Sequence, residues 1–257
     1  MLMFTSMQKA INMNMNTSDN KSHRSELDRI AFYGRTLSEY LLMFAVGDVT
    51  LLKSYNLILD CPSGASSFVA EATKRGINAV GCDPLFDTGV QSLAKQGRKD
   101  IEYVVKRVSE APDLYKWDFY SSIEELREYR TSALNQFLSD YETGVRDTRY
   151  LKGELPQLPF TDKRFDLVLS GHFLFTYSSK FDFSFILHAI LELIRVCSGE
   201  VRIYPIQKSS SQPYDEMAEL LGVLKKSHGI DHEINPVQFE FQRGSNKMLI
   251  LKRQKDH

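Results

Sequence analysis

The 257-residue chain is short of cysteine, of any excess of one charge and of long apolar runs, and each shortage removes a class of protein. Its three cysteines, Cys61, Cys82 and Cys197, are odd in number and widely spaced, with no CxxC pair. That spacing suits neither a disulfide scaffold nor a zinc site, so a reducing cytoplasm and no metal are expected. Formal net charge is -1, and bases such as Lys95, Arg98 and Lys106 are scattered among acids. No basic face for nucleic-acid phosphates is legible. The apolar run YLLMFAV, Tyr40 to Val46, falls far short of the roughly 20 residues that span a bilayer, so no membrane anchor is expected. Residues 1–23 lack a basic segment followed by an apolar core and are rich in Asn, Ser and Met; they read as a disordered leader outside the fold.

What remains is a body with 42% hydrophobic and 25% charged residues, enough to bury the core of one large domain over residues 24–257. Two helical segments are expected between Ser25 and Val46, the second opened by a capping box of Thr36 with Glu39. The stretch NLILDCPSGASSFVAEATKRGINAVGCDP, Asn56 to Pro84, then reads as strand, turn, helix closed by Gly76, and strand. FDLVLS, a helix over Phe183 to Val196 closed by Gly199, the strand EVRIYPI and a helix from about Tyr214 to Lys226 repeat the alternation. VQFEFQ and KMLILKR, joined by RGSN, read as a hairpin that ends the sheet with an antiparallel strand. This pattern predicts a doubly wound α/β fold with a mostly parallel sheet and helices on both faces. Residues of about 86–147 form a helical insert after the second strand, with Ile123, Leu126, Leu134, Phe137 and Tyr141 along one side.

The turn PSGAS holds one glycine, Gly64, where a dinucleotide fingerprint needs GxGxxG, and Pro62 removes an amide donor. A pyrophosphate cradle is therefore poorly made. Asp60, ahead of the turn, repels phosphate but suits an ammonium group or neutral donors. Asp83 follows 23 positions later at the end of the second strand, near the spacing of an acid that accepts hydrogen bonds from a ribose diol. Together the two acids suit a nucleoside carrying a cationic amino-acid tail, of which S-adenosylmethionine is an example.

NLILDCPSGAS, AVGCD and GELPQLPFTDKRFDLVLSGHFLF resemble the corresponding motifs of the seven-stranded, class I, Rossmann-like S-adenosylmethionine-dependent methyltransferases. The resemblance runs from about Asn56 to the C-terminus, is most specific at LPFTDKRFDLVLS, and implies seven strands. It implies that Asp60, Pro62 and Gly64 bound the methionine end of the cofactor and that Asp83 holds the ribose hydroxyls. It also implies that Glu154 and Leu155 meet the adenine, and that Ser170, Gly171 and His172 line the reaction side. Pro62 and Ser66 stand where the family usually has glycine. His172 is a candidate base, with an ordinary pKa of roughly 6.5, while Tyr33, Arg35 and Trp117 are candidates for the substrate cleft. SGHF after the fourth strand disfavours a nucleobase amine, and the long insert favours a small-molecule acceptor. Two alternatives stay open: a non-catalytic binding module on the same scaffold, and a nicotinamide-dependent oxidoreductase. Oligomeric state is not legible.

Overall fold

A computed structural model describes residues 27 and 29–254; the expected leader lies outside them. Seven strands form one sheet: β1 (Ile58–Asp60), β2 (Ala79–Asp83), β3 (Tyr150–Lys152), β4 (Phe165–Gly171), β5 (Cys197–Tyr204), β6 (Ile230–Pro236) and β7 (Lys247–Arg253). Their order is β3-β2-β1-β4-β5-β7-β6. The first five pair in parallel, whereas β7 runs antiparallel between β5 and β6. The doubly wound, mostly parallel sheet with an antiparallel C-terminal strand is the expected architecture.

Alternation along the strands builds a core on each face. In β1, Ile58 joins a cluster with Phe68, Leu134 and Phe137, while Leu59 joins one with Ile190, Leu193 and Leu224. The first face carries α1 (Leu37–Met43), α3 (Phe68–Lys74), α4 (Val90–Glu110) and α5 (Ile123–Arg146). A four-residue turn, α2 (Val49–Leu52), precedes β1. The second face carries α6 (Phe183–Val196) and α7 (Met217–His228). α4 and α5 run past each other antiparallel, with Gly97 under Leu134 and Glu102 paired to Arg127. A Cβ on Gly97 would lie 2.6 Å from a Leu134 methyl, so glycine sets how closely the pair packs.

Four expectations are corrected. The capping box forms, with Thr36 N donating to Glu39 Oε2 at 2.8 Å, but no helix precedes it among the described residues. Residues 29–36 form an irregular strap stitched to four elements. Ala31 N donates to the Tyr177 hydroxyl, Phe32 N to Asp100 on α4, and Arg130 on α5 to the Gly34 carbonyl; the Arg35 carbonyl accepts from Ser67 N. Those tertiary hydrogen bonds take the backbone groups that a helix would have paired internally. Gly199 does not close α6, because β5 begins at Cys197 directly after the helix. It sits instead at a register shift opposite Phe165 and Leu167, where any Cβ would lie 2.1 Å from the Asp166 carbonyl oxygen. VQFEFQ is not a strand: β7 pairs with the polar IDHEINP segment, and Phe239 and Phe241 pack edge-on against Tyr120. Finally, the helix expected from Tyr214 begins three residues later, at Met217.

Candidate functional site

β1 and β4 are neighbours, with β2 outside one and β5 outside the other, so the chain order reverses between them. The carboxyl ends of parallel strands leave a crevice at that point, and here it is a cavity of about 390 Å³. The turn after β1 contributes Cys61, Pro62, Ser63 and Gly64; Asp83, Pro84 and Leu85 come from the end of β2. Gly153, Glu154 and Leu155 follow β3, and Gly171, His172 and Phe173 stand at the end of β4. The strap from Ile30 to Arg35, with Tyr40, Phe181 and Phe185, closes the remaining sides.

Local chemistry fixes this geometry. Gly64 has φ of +55°, and a Cβ there would lie 2.8 Å from the Tyr33 carbonyl, so the turn can pass under the strap only with glycine. Gly34 is tighter still, its hypothetical Cβ 2.1 Å from the backbone of Ala65 and Ser66. Asp83 locks the turn to β2: its carboxylate accepts from Gly64 N at 2.9 Å and from Leu85 N at 3.0 Å. Burial raises its pKa to about 6 against those two stabilising donors.

Asp60 is fully buried and does not line the cavity. Its two oxygens accept from the Tyr40 hydroxyl at 2.9 Å and from Ser63 Oγ at 2.7 Å. Burial, with the hydroxyl donors opposing it, pushes its pKa up to about 7. Tyr40 and Ser63 do line the cavity, so Asp60 reaches the site through the two hydroxyls it orients. Sequence reading missed both relays; Ser63 was visible in the turn, but Tyr40 lay in an apolar helix with nothing to mark it.

Of the other named residues, Tyr33 and Arg35 line the cavity together with Glu154, Leu155, Gly171 and His172. Trp117 does not: it packs edge-on against Phe241. Ser170 is buried beside the site with its Oγ unpartnered and likewise does not line it. His172 adopts φ of +52°, donates its backbone N–H to the Tyr204 carbonyl and sets its ring edge-on to Tyr204. Burial, then Arg35 and Arg130, hold its imidazole well below the usual range, so it is a weaker base than an exposed histidine. The thiol of Cys61 is held well above its usual range by a hydrogen bond with Cys82 and by burial, which makes it a packing group rather than a nucleophile.

A second buried network stands behind the strap. Glu39 pairs with Arg130 at 2.6 Å and with Arg35 at 2.9 Å, and Tyr120 donates its hydroxyl to the same carboxylate. The two guanidiniums and the hydroxyl overcome burial and hold Glu39 at about 2. Arg130 lies within the long charged helix α5; nothing in its spacing marked it as buried.

The sheet order, its central reversal and the antiparallel β7 define the class I, Rossmann-like methyltransferase fold. No family model matches the chain. The uncharacterized protein MJ0045 of Methanocaldococcus jannaschii is 30% identical over 221 residues, covering 86% of this chain and 95% of that protein. The chain belongs to the same family as that archaeal protein. Among solved structures, a putative S-adenosyl-L-methionine-dependent methyltransferase from Methanococcus maripaludis is 11% identical, with a TM-score of 0.43 over 95% of this chain and 99% of that one. Magnesium protoporphyrin IX methyltransferase from Synechocystis PCC 6803 is also 11% identical, with a TM-score of 0.43 over 98% and 92% of the two chains. Among the described residues no helix is long and apolar enough to cross a membrane, and no cluster of side chains could hold a metal ion.

Proposed function

We propose that this protein transfers a methyl group from S-adenosylmethionine to a small-molecule acceptor. The observation that carries the reading is Asp83: a carboxylate at the end of β2, on the cavity wall and fixed by the amide of the one glycine in the β1 turn. A carboxylate there accepts from a ribose diol and opposes a phosphate. Glu154 lines the cavity close enough to Asp83 to raise its pKa further, so this wall carries two acids that oppose a phosphate beside it. The volume lies within the range of small-ligand sites.

When bound, the cofactor supplies an electrophilic methyl on a sulfonium that is its own leaving group, leaving the protein to bind, align and exclude water. Asp83 would hold the ribose, Glu154 and Leu155 the adenine side, and Pro62, Ser63 and Gly64 the methionine side with Tyr40. The acceptor would lie against Phe173, Phe181 and the strap, which close the cavity to water. With the His172 imidazole held well below its usual pKa by burial and by the charges of Arg35 and Arg130, alignment carries more of the catalysis than proton removal does.

Calorimetric titration of S-adenosylmethionine, S-adenosylhomocysteine and NAD tests the reading. Both adenosyl ligands should bind and NAD should not. At 100 times its dissociation constant an adenosyl ligand should stabilise the fold by about 2.7 kcal/mol. Asp83→Ala should weaken adenosyl binding roughly 10-fold to 100-fold, the equivalent of one lost charged hydrogen bond. Absence of adenosyl binding in the wild-type protein overturns the proposal.

A further inference from the structure

Beside the main cavity lies a smaller one of about 60 Å³, and Tyr33, Arg35 and His172 line both. Arg130 and Thr176 also line the smaller cavity, and no acidic side chain among the described residues does. Its third arginine, Arg107, is paired with Glu110.

Three observations meet at the wall common to the two cavities. Arg35 and Arg130 set two guanidiniums against a single carboxylate, Glu39, leaving one positive charge in excess inside the protein. Such a charge is costly unless an anion meets it. Arg35 directs Nη1 to Glu39 and Tyr120, while its Nε and Nη2 have no hydrogen-bond partner among the described residues. His172 Nε2 and Thr176 Oγ1 are both buried and unpartnered, and both residues line the smaller cavity.

We infer that this wall binds the carboxylate of the methyl acceptor: Arg35 supplies the charge, Thr176 Oγ1 and His172 Nε2 donate hydrogen bonds, and the rest of the acceptor lies in the main cavity. One excess charge matches a monoanionic carboxylate, whereas a phosphate monoester brings close to two negative charges at neutral pH. The planar guanidinium fork suits a planar carboxylate. Phe32, Phe173, Phe181 and Phe185 line the main cavity and suit an apolar, aromatic body next to that group. That the anion is the methyl acceptor rests on the methyl-transfer reading; that the wall takes a carboxylate does not.

The test is calorimetric binding of benzoate, benzamide and inorganic phosphate at constant ionic strength, in carboxylate-free buffer, with and without S-adenosylhomocysteine. Wild-type protein should bind benzoate saturably and bind benzamide and phosphate at least about tenfold more weakly, as expected for a charge-assisted pair. Arg35→Met should lose benzoate binding yet stay folded, because Arg130 and Glu39 remain paired one to one. Thr176→Val, which leaves the arginines in place, should weaken benzoate roughly threefold to tenfold, the worth of one hydrogen bond. Equal binding of benzoate and benzamide, tighter binding of phosphate, or unchanged benzoate affinity in both variants overturns the inference. Titrating S-adenosylhomocysteine into the same samples keeps the two readings apart. Benzoate binding without adenosyl binding removes the methyltransferase and leaves the carboxylate site; the reverse removes the carboxylate site alone.

Discussion

Two carboxylates of this protein are equally buried and behave in opposite ways. Glu39 sits between two guanidiniums and is held at about 2; Asp60 receives only two hydroxyls and is pushed up to about 7. Burial acts the same way on both, favouring the uncharged acid. Hydrogen bonds from neutral donors soften that effect at Asp60, and only cations reverse it, at Glu39. The molecule thus keeps a permanent charge behind the strap and a carboxyl able to change charge near neutrality under the β1 turn.

The comparison breaks most severely at Glu39. Glu39→Gln leaves two buried guanidiniums facing no anion, at a cost of about 3–5 kcal/mol. For a domain of this size that lowers Tm by roughly 10 °C, which scanning calorimetry would register. Asp60→Asn loses no such charge pair, and because the neutral amide escapes the penalty that ionisation places on the buried carboxyl, it should leave stability at pH 7 unchanged or raised.

A pH series of denaturant melts sharpens the contrast. Asp60 in the folded protein lies above its unfolded value of about 3.9, so between about pH 4 and 7 the folded state holds a proton that the unfolded chain has released. Stability should therefore fall as pH rises through that window, by up to about 1.4 kcal/mol per pH unit from this group, and Asp60→Asn should flatten the decline. Asp83, held at about 6, contributes in the same direction and persists in the variant. Glu39 lies below its unfolded value of about 4.3, so its contribution is present above that pH and is lost as pH falls toward 2; Glu39→Gln should remove this acid limb. A Glu39→Gln profile identical in shape to wild type would refute the assigned charge state. A smaller effect than that of Glu39→Gln is expected from Tyr40→Phe, which removes one donor from Asp60 for about 0.5–1.5 kcal/mol and should raise the Asp60 pKa further, as read by carboxyl NMR titration.

Sequence and structure agree where burial leaves a periodic trace. β1, β2, β4, β5 and β7 carry enough apolar residues to read as strands, and the cavity forms at the turn that the acids Asp60 and Asp83 flank. β3 has three residues, and β6 is a mostly exposed edge strand whose polar composition hides it. VQFEFQ misleads for the opposite reason, since its phenylalanines are buried by an aromatic cluster rather than by a sheet. Within the site, the sequence marks Asp83 by spacing and Glu39 by its capping box. It gives no sign that Glu39 serves Arg130, 91 positions away, or that Asp60 is turned from the cavity toward Tyr40. Those facts depend on which chain segments meet, and no local pattern records that.

The strap also has a history within each molecule. Gly34 lies on the β1 turn early in the chain, but its carbonyl is held by Arg130, 96 positions further on. A contact of that separation closes a long loop before it gains anything, so it belongs among the late events of folding. A nascent chain that has made the strap and the β1 turn but not yet α5 has only Arg35 to pair with Glu39 and no fastening for the Gly34 carbonyl. The strap side of the cavity is therefore completed only after α5 has been synthesised and docked, which makes that helix a timekeeper for when the cavity first closes.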